Sequence, residues 1–306
     1  MTGRSAVPQL PAAGPRAVIL DPVGRTQRGE AAVATVRDRL VRLPSGSGVA
    51  LPDEQFGTVA DHGGEPVWLT RDGAGRLRLN VAAAPVPLIS NGREVTGVEP
   101  GPDGSLMVRT KAGPLLWTAS TGWTASAPPE LHTFEVSATA TALWAVADGG
   151  VVRVAAGPGG AAPGVVRLEQ WRGVVTGDPR ADRVVVTDER GCHAVLDGTT
   201  EEQLWRSCDW EPSVFSSDGR YAAGRSTKYG GLGVIDITTR SLVLAIDPES
   251  NPVGPRMMFD GADRLNLRVG DDRVSYAFMA CDLSGDCWGT TSALAGPLEF
   301  VLPDRS

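Results

Sequence analysis

The chain has 306 residues and carries 36 acidic against 29 basic side chains, a net charge of -7 in which arginine outnumbers lysine 27 to 2. A diffuse acidic surface repels a phosphate backbone and offers no basic stripe to neutralise one, so no nucleic-acid partner is expected. No apolar run approaches the roughly 18 to 20 residues that cross a bilayer as a helix, so no membrane span is expected either.

Residues 1–16, with three Pro and two Gly, read as a flexible lead-in, and they lack the basic region and apolar core of an export signal. From residue 17 a strand phrase recurs: 67–71 (VWLTR), 106–110 (LMVRT), 143–147 (LWAVA), 184–188 (VVVTD), 221–225 (YAAGR) and 265–269 (LNLRV). Successive starts lie 39, 37, 41, 37 and 44 residues apart. A period of about 40 residues filled with short strands and Gly-rich turns is what a radial array of four-stranded sheets requires, because one such sheet cannot bury its faces alone. The expected fold is all-β: a single β-propeller domain over residues 17–302. Seven four-stranded blades are expected, or six if the weakest unit only completes the last blade.

In chain order the units fall at 17–55, 56–93, 94–130, 131–168, 169–208, 209–250 and 251–302. The first is the weakest: 17–20 reads as its opening strand, 31–36, 39–43 and 48–51 as the rest, with 27–39 open to a helical turn or two. The third shows the plan most clearly, with strands at 95–99, 106–110, 114–118 and 122–126. Its Asp103 and Gly104 form a hairpin turn by chemistry, since Gly accepts positive φ without a Cβ clash and Asp tolerates it. Asp-Gly pairs at 72–73, 148–149, 197–198 and 218–219 punctuate strands in the same way.

Eight of the 17 aromatic residues are tryptophan. Trp68, Trp117, Trp144 and Trp205 sit inside strand phrases and read as packing between blades. Trp171 and Trp210 fall where the last strand of one unit passes to the first of the next, and Tyr229 lies between second and third strands on that same rim. These three are the candidate binding residues, since aromatics on an exposed rim suit a sugar or peptide, with packing at the blade junctions as the competing account.

The four cysteines fall into two local pairs. Cys192 and Cys208 are each eight residues from Thr200, the centre of a hairpin turn, and Cys281 and Cys287 are symmetric about Ser284. Residues equidistant from a turn face each other across an antiparallel ladder, so two disulfides are expected, and with them an oxidising compartment outside the cytoplasm. A zinc site is not expected, because there is no Cys-x-x-Cys knuckle.

No catalytic residue stands out. His62, His132 and His193 lie in three different units and read as exposed loop residues. No Gly-x-Ser-x-Gly elbow is present, and the glycines at 230–233 precede no helix that could hold phosphate, so no cofactor is expected. Asp282 and Asp286 mimic the start of a calcium loop but lack its distal bidentate Glu, and Asp and Gly are favoured in hairpin turns anyway; no metal is expected.

Residues 212–224 (PSVFSSDGRYAAG) followed by 231–244 (GLGVIDITTRSLVL) resemble the repeat phrase of WD40-like and TolB-like propellers, without the Gly-His and Trp-Asp pairs of true WD40 units. In addition, 204–210 (LWRSCDW) running into that phrase, together with the Cys281 to Cys287 hairpin, resembles propeller proteins displayed outside the membrane of high-GC Gram-positive bacteria. The resemblance implies a non-catalytic propeller that presents rim loops to a protein or carbohydrate ligand. The alternatives are a propeller hydrolase or lyase with carboxylates in its central channel, and a cytosolic assembly scaffold if the thiols are reduced.

Overall fold

A computed structural model describes residues 16–18, 35–37, 40–42, 48–50, 55–62, 65–71, 77–81, 84–87, 95–110, 113–118, 122–123, 136–155, 164–228, 230–246, 257–260, 263–269 and 277–289. Apart from one 3-10 turn at Pro102–Gly104, the regular structure among these residues is strand. Six sheets hold four consecutive strands each. The first comprises β5 (Gln55–His62), β6 (Glu65–Arg71), β7 (Leu77–Val81) and β8 (Ala84–Pro87). The second comprises β9 (Val95–Pro100), β10 (Leu106–Thr110), β11 (Gly113–Thr118) and β12 (Gly122–Trp123). In the third are β13 (Val136–Ala138), β14 (Ala142–Ala147), β15 (Gly150–Ala155) and β16 (Gly164–Leu168). The fourth is β17 (Gly173–Asp178), β18 (Arg183–Thr187), β19 (His193–Asp197) and β20 (Gln203–Ser207). The fifth is β21 (Trp210–Phe215), β22 (Tyr221–Ser226), β23 (Leu232–Asp236) and β24 (Ser241–Ile246). The sixth is β25 (Met257–Asp260), β26 (Arg264–Val269), β27 (Ala277–Asp282) and β28 (Cys287–Gly289).

Ahead of them, β2 (Thr35–Arg37), β3 (Leu40–Arg42) and β4 (Gly48–Ala50) form a three-stranded sheet where the first unit is expected. Thr35–Arg37 is therefore strand, not part of a helical turn. The opening strand β1 (Arg16–Val18) does not join β2 to β4. It pairs in parallel with β24, Arg16 opposite Leu244 and Val18 opposite Ile246, as a fifth strand on the sheet of the sixth unit.

Within a sheet each strand pairs antiparallel with its predecessor, and the first strands of successive sheets meet: β5 lies against β9, β13 against β17, β17 against β21, and β21 against β25. The sheets are thus stacked face to face about their first strands. Packing explains the apolar runs that do not alternate. On β18, Val184 and Val186 enter a core with Trp144, Val151 and Leu168 of the preceding sheet, whereas Val185 enters one with Phe215, Ala222 and Ile235 of the following sheet. Ala194 and Leu196 divide from Val195 on β19 in the same way. A strand covered on both faces has no polar side to write, and each fully buried Val or Leu contributes about 1.5–3 kcal/mol.

The turn chemistry holds at Asp103 and Gly104 (φ 53° and 69°) and at Asp148 and Gly149 (φ 50° and 77°). At Asp197 the turn is longer: the residue with positive φ is Glu201, and the Asp197 carboxylate accepts the amides of Thr199 and Thr200. The same device stands one sheet later, where Asp236 accepts the amides of Thr238 and Thr239. Each of these carboxylates also holds an arginine at the start of the neighbouring second strand, Arg183 on Asp197 and Arg220 on Asp236, both at 2.9 Å. Burial pushes both carboxyls up, but the turn amides and the guanidinium, with the Thr200 hydroxyl added at Asp197, outweigh it and hold them below the usual carboxylate range. The signal in the sequence is the repeat of Leu-Asp-Gly-Thr-Thr at 196–200 as Ile-Asp-Ile-Thr-Thr at 235–239. Asp282 caps its own turn by accepting the Ser284 hydroxyl (2.6 Å) and the Asp286 amide (2.9 Å).

Candidate functional site

One end of the stacked sheets carries the turns between second and third strands and the connections from each fourth strand to the next sheet. On the third sheet, a cavity of about 320 Å³ opens there, lined by the Asp148 and Gly149 turn, Val151, Val152 and the segment from Arg167 to Glu169 with Arg172. Its charges are mixed. Arg167 reaches Asp148 at 3.3 Å, both side chains being exposed, and the Arg172 guanidinium donates to the carbonyls of Gly149 and Glu169. The Arg172 amide donates to the Thr187 carbonyl (2.7 Å), which ties the mouth of the cavity to the fourth sheet.

Trp171 is in this connection, at the end expected, but it is 5% exposed. Its indole packs into the core shared by the third and fourth sheets, with Trp144, Leu168 and Val186. Trp210, the first residue of β21 where the next connection ends, is half-buried and lies over Gly233, where an added Cβ would stand 2.7 Å from its ring. Tyr229 lies outside the described residues. Trp117, Trp144 and Trp205 are buried, as the packing account of the strand tryptophans requires.

Both cysteine pairs are at disulfide-bonding distance. Cys281 and Cys287 are direct register partners with Cα atoms 4.1 Å apart, and Cys192 and Cys208 continue the His193 to Ser207 register with Cα atoms 4.0 Å apart. They sit at opposite ends of the stack. Cys192–Cys208 closes the open end of the β19–β20 hairpin on the rim with the cavity, and around it the rim is stitched together. Asp188 accepts the Cys192 amide and pairs with Arg206. The carbonyls of Cys208 and Asp209 accept the Thr227 hydroxyl and amide, each at 2.9 Å, binding this connection to the β22–β23 turn of the next sheet.

His193 corrects the expectation of an exposed loop histidine. It is on β19, 8% exposed, with Nδ1 unpartnered, while the ring hydrogen-bonds the Trp210 backbone across the junction of the fourth and fifth sheets. Burial drives its pKa below the ordinary 6.5, against the opposing pull of Glu211 and Asp188. A histidine with a depressed folded pKa is neutral in the fold and takes up a proton on unfolding, so stability falls as pH drops below 6.5 toward the folded value. Expected result: between pH 7 and 5 the wild-type melting temperature declines more steeply than that of His193→Gln. Parallel pH profiles would show that His193 titrates alike in both states.

The acidic residues on the innermost strands bear on the channel-carboxylate alternative. Glu99 on β9 meets Arg109 on β10 at 2.9 Å; burial pushes its pKa up and the arginine pulls it back. Asp178, at the end of β17, is buried in an ion pair with Arg180 at 2.9 Å. Glu211 lies on β21, two sheets on from the next described sheet after Glu99. Among the described residues no three His, Cys, Asp or Glu side chains gather in a way that could hold a metal.

No protein family matches the sequence, and no curated protein is similar to it. Solved structures do match. Kluyveromyces lactis Hsv2 superposes with a TM-score of 0.57 at 9% identity, over 86% of this chain and 95% of that one. The Neurospora crassa Pan2 WD40 domain gives 0.51 at 9% identity, over 78% and 79%, and a chain of a mitotic checkpoint complex 0.51 at 10%, over 79% and 80%. The fold is a WD40-like β-propeller. At such identities the likeness carries the fold alone. In propeller terms the stacked first strands are the innermost ones, and the cavity, Trp210 and Cys192–Cys208 share one rim. No helix among the described residues is long and apolar enough to cross a membrane.

Proposed function

We propose that residues 17–302 form one seven-bladed propeller domain behind a lead-in at 1–16, and that it is a non-catalytic binder presenting this rim to a protein or cell-wall carbohydrate ligand outside the cytoplasm. The observation that carries the reading is the rim itself: a polar cavity beside connections held by a disulfide, an Asp188–Arg206 pair and carbonyl clamps from one blade to the next. A surface held in one geometry before contact loses little conformational freedom on binding. Two cysteine pairs at bonding distance support an oxidising location, as does the resemblance to extracytoplasmic propellers of high-GC Gram-positive bacteria. A checkpoint-complex chain among the structural neighbours supports assembly with proteins as a use of this frame.

The test compares wild type, Arg167→Glu at the cavity mouth, and Arg240→Glu on the opposite rim as control. Each is measured against immobilised cell-wall material and solubilised envelope proteins. Loss of about tenfold or more in affinity, some 1.4 kcal/mol, is expected for Arg167→Glu alone. Binding that neither substitution changes, or that only Arg240→Glu weakens, would exclude this rim.

A further inference from the structure

The two disulfides occupy different surroundings. Cys281 and Cys287 are 0% and 4% exposed and belong to the core between the fifth and sixth sheets, beside Met257, Phe259 and Leu265. Cys192 is 3% exposed, but its partner Cys208 is an exposed residue at the end of β20. Thiol–disulfide exchange requires a thiolate to reach one of the two sulfurs, so access ranks the bonds.

What Cys208 holds is as informative as its exposure. Its carbonyl accepts the Thr227 hydroxyl, and the next carbonyl, of Asp209, accepts the Thr227 amide. Thr227 opens the β22–β23 turn, which is further closed by the Ser226 amide on the Gly231 carbonyl. Trp210 follows Asp209 directly, and its backbone is the partner of buried His193. On the other strand, the Cys192 amide rests on Asp188, which also holds Arg206. One covalent bond therefore stands at the root of the contacts that join the fourth and fifth blades on this rim.

We infer that Cys192–Cys208 is a redox-sensitive clamp on the rim, opened by dithiol reductants while Cys281–Cys287 stays closed, and that its opening releases the 207–210 connection and Thr227 together. This rests on the rim being the binding surface, and it assigns that surface a form of regulation. The step balances with an external dithiol as reductant. Its thiolate attacks the Cys208 sulfur and Cys192 leaves as a thiolate. The second thiol of the reductant then displaces Cys208 by closing its own disulfide, so two electrons and two protons pass to the protein.

The test needs no ligand, so its outcome is separate from that of the binding experiment. The full chain is treated under native conditions with graded dithiothreitol, alkylated and mapped by mass spectrometry, and amide hydrogen exchange is followed in parallel. Expected: Cys192 and Cys208 are labelled at reductant levels that leave Cys281 and Cys287 bonded. In that state the Thr227 amide and the 207–210 amides exchange about tenfold faster or more, while β23 is unchanged. The Cys192→Ser, Cys208→Ser double variant should show the same exchange without reductant; if it does not fold, the reduced wild type alone decides. Simultaneous opening of both bonds, earlier opening of Cys281–Cys287, or unchanged exchange at Thr227 after selective opening would each overturn the inference.

Discussion

Trp171→Ala is expected to destabilise the fold by about 3–5 kcal/mol, the usual cost of removing a buried tryptophan. The residue sits on the rim by chain position, yet its indole is 5% exposed and packs with Trp144, Leu168, Val184 and Val186 across the third and fourth sheets. Removing it leaves a hole between two sheets whose strands are tied by backbone ladders, so the walls relax little and the cavity term adds to the lost transfer energy. Trp210→Ala should cost less, because Trp210 is half-buried and one side of its ring lies on Gly233. The check is the midpoint of chemical unfolding for both variants, read beside ligand binding. A loss below about 1 kcal/mol for Trp171→Ala would return its indole to the binding surface, since a truncation that small is not that of a core tryptophan.

Gly177→Val is expected to be comparably damaging through a different mechanism. Gly177 lies on β17, which packs against β13, and a Cβ there would stand 2.3 Å from the Ala138 carbonyl oxygen and 3.0 Å from its carbon. Both are backbone atoms, so no side chain can swing away. The two innermost strands would have to separate, and the contacts beyond them would open too, including the Ala140 amide on the Asp182 carboxylate (3.0 Å) and the hydrogen bond between the Thr141 and Thr199 hydroxyls (3.3 Å). Overpacking typically costs about 1–3 kcal/mol, and collision with backbone places this change at or above the upper end. Gly164→Ala on β16 is the control: nothing lies within 4 Å of its added Cβ, and its stability should change little. Equal melting temperatures for the two variants would mean that β13 and β17 do not approach as described.

Much of this architecture is legible along the chain because it is local. Strand phrases and Asp-Gly turns need only neighbouring residues, and the described strands of the third unit begin within one residue of the sequence reading. The cysteine pairings are legible for the same reason, since 16 and 6 residues separate the partners and antiparallel symmetry about a turn decides who faces whom. The burial of His193 is not legible, because a polar residue next to a cysteine and a turn looks like surface until the following blade is laid over it. The pairing of β1 with β24 is not legible either, because β24 is distant in sequence and a three-residue strand carries no mark of which edge it joins.

By itself the sequence determined the class of fold, the period of its sheets, the turns between strands and the two disulfide pairs. Tertiary structure alone decided that Trp171 packs inward while Trp210 stays half open, that Gly177 must lack a side chain, and that Cys208 faces solvent while Cys281 does not. The first set depends on register within one hairpin, which chain spacing encodes. The second depends on how closely one sheet approaches the next, and that distance is set by every side chain in the interface at once.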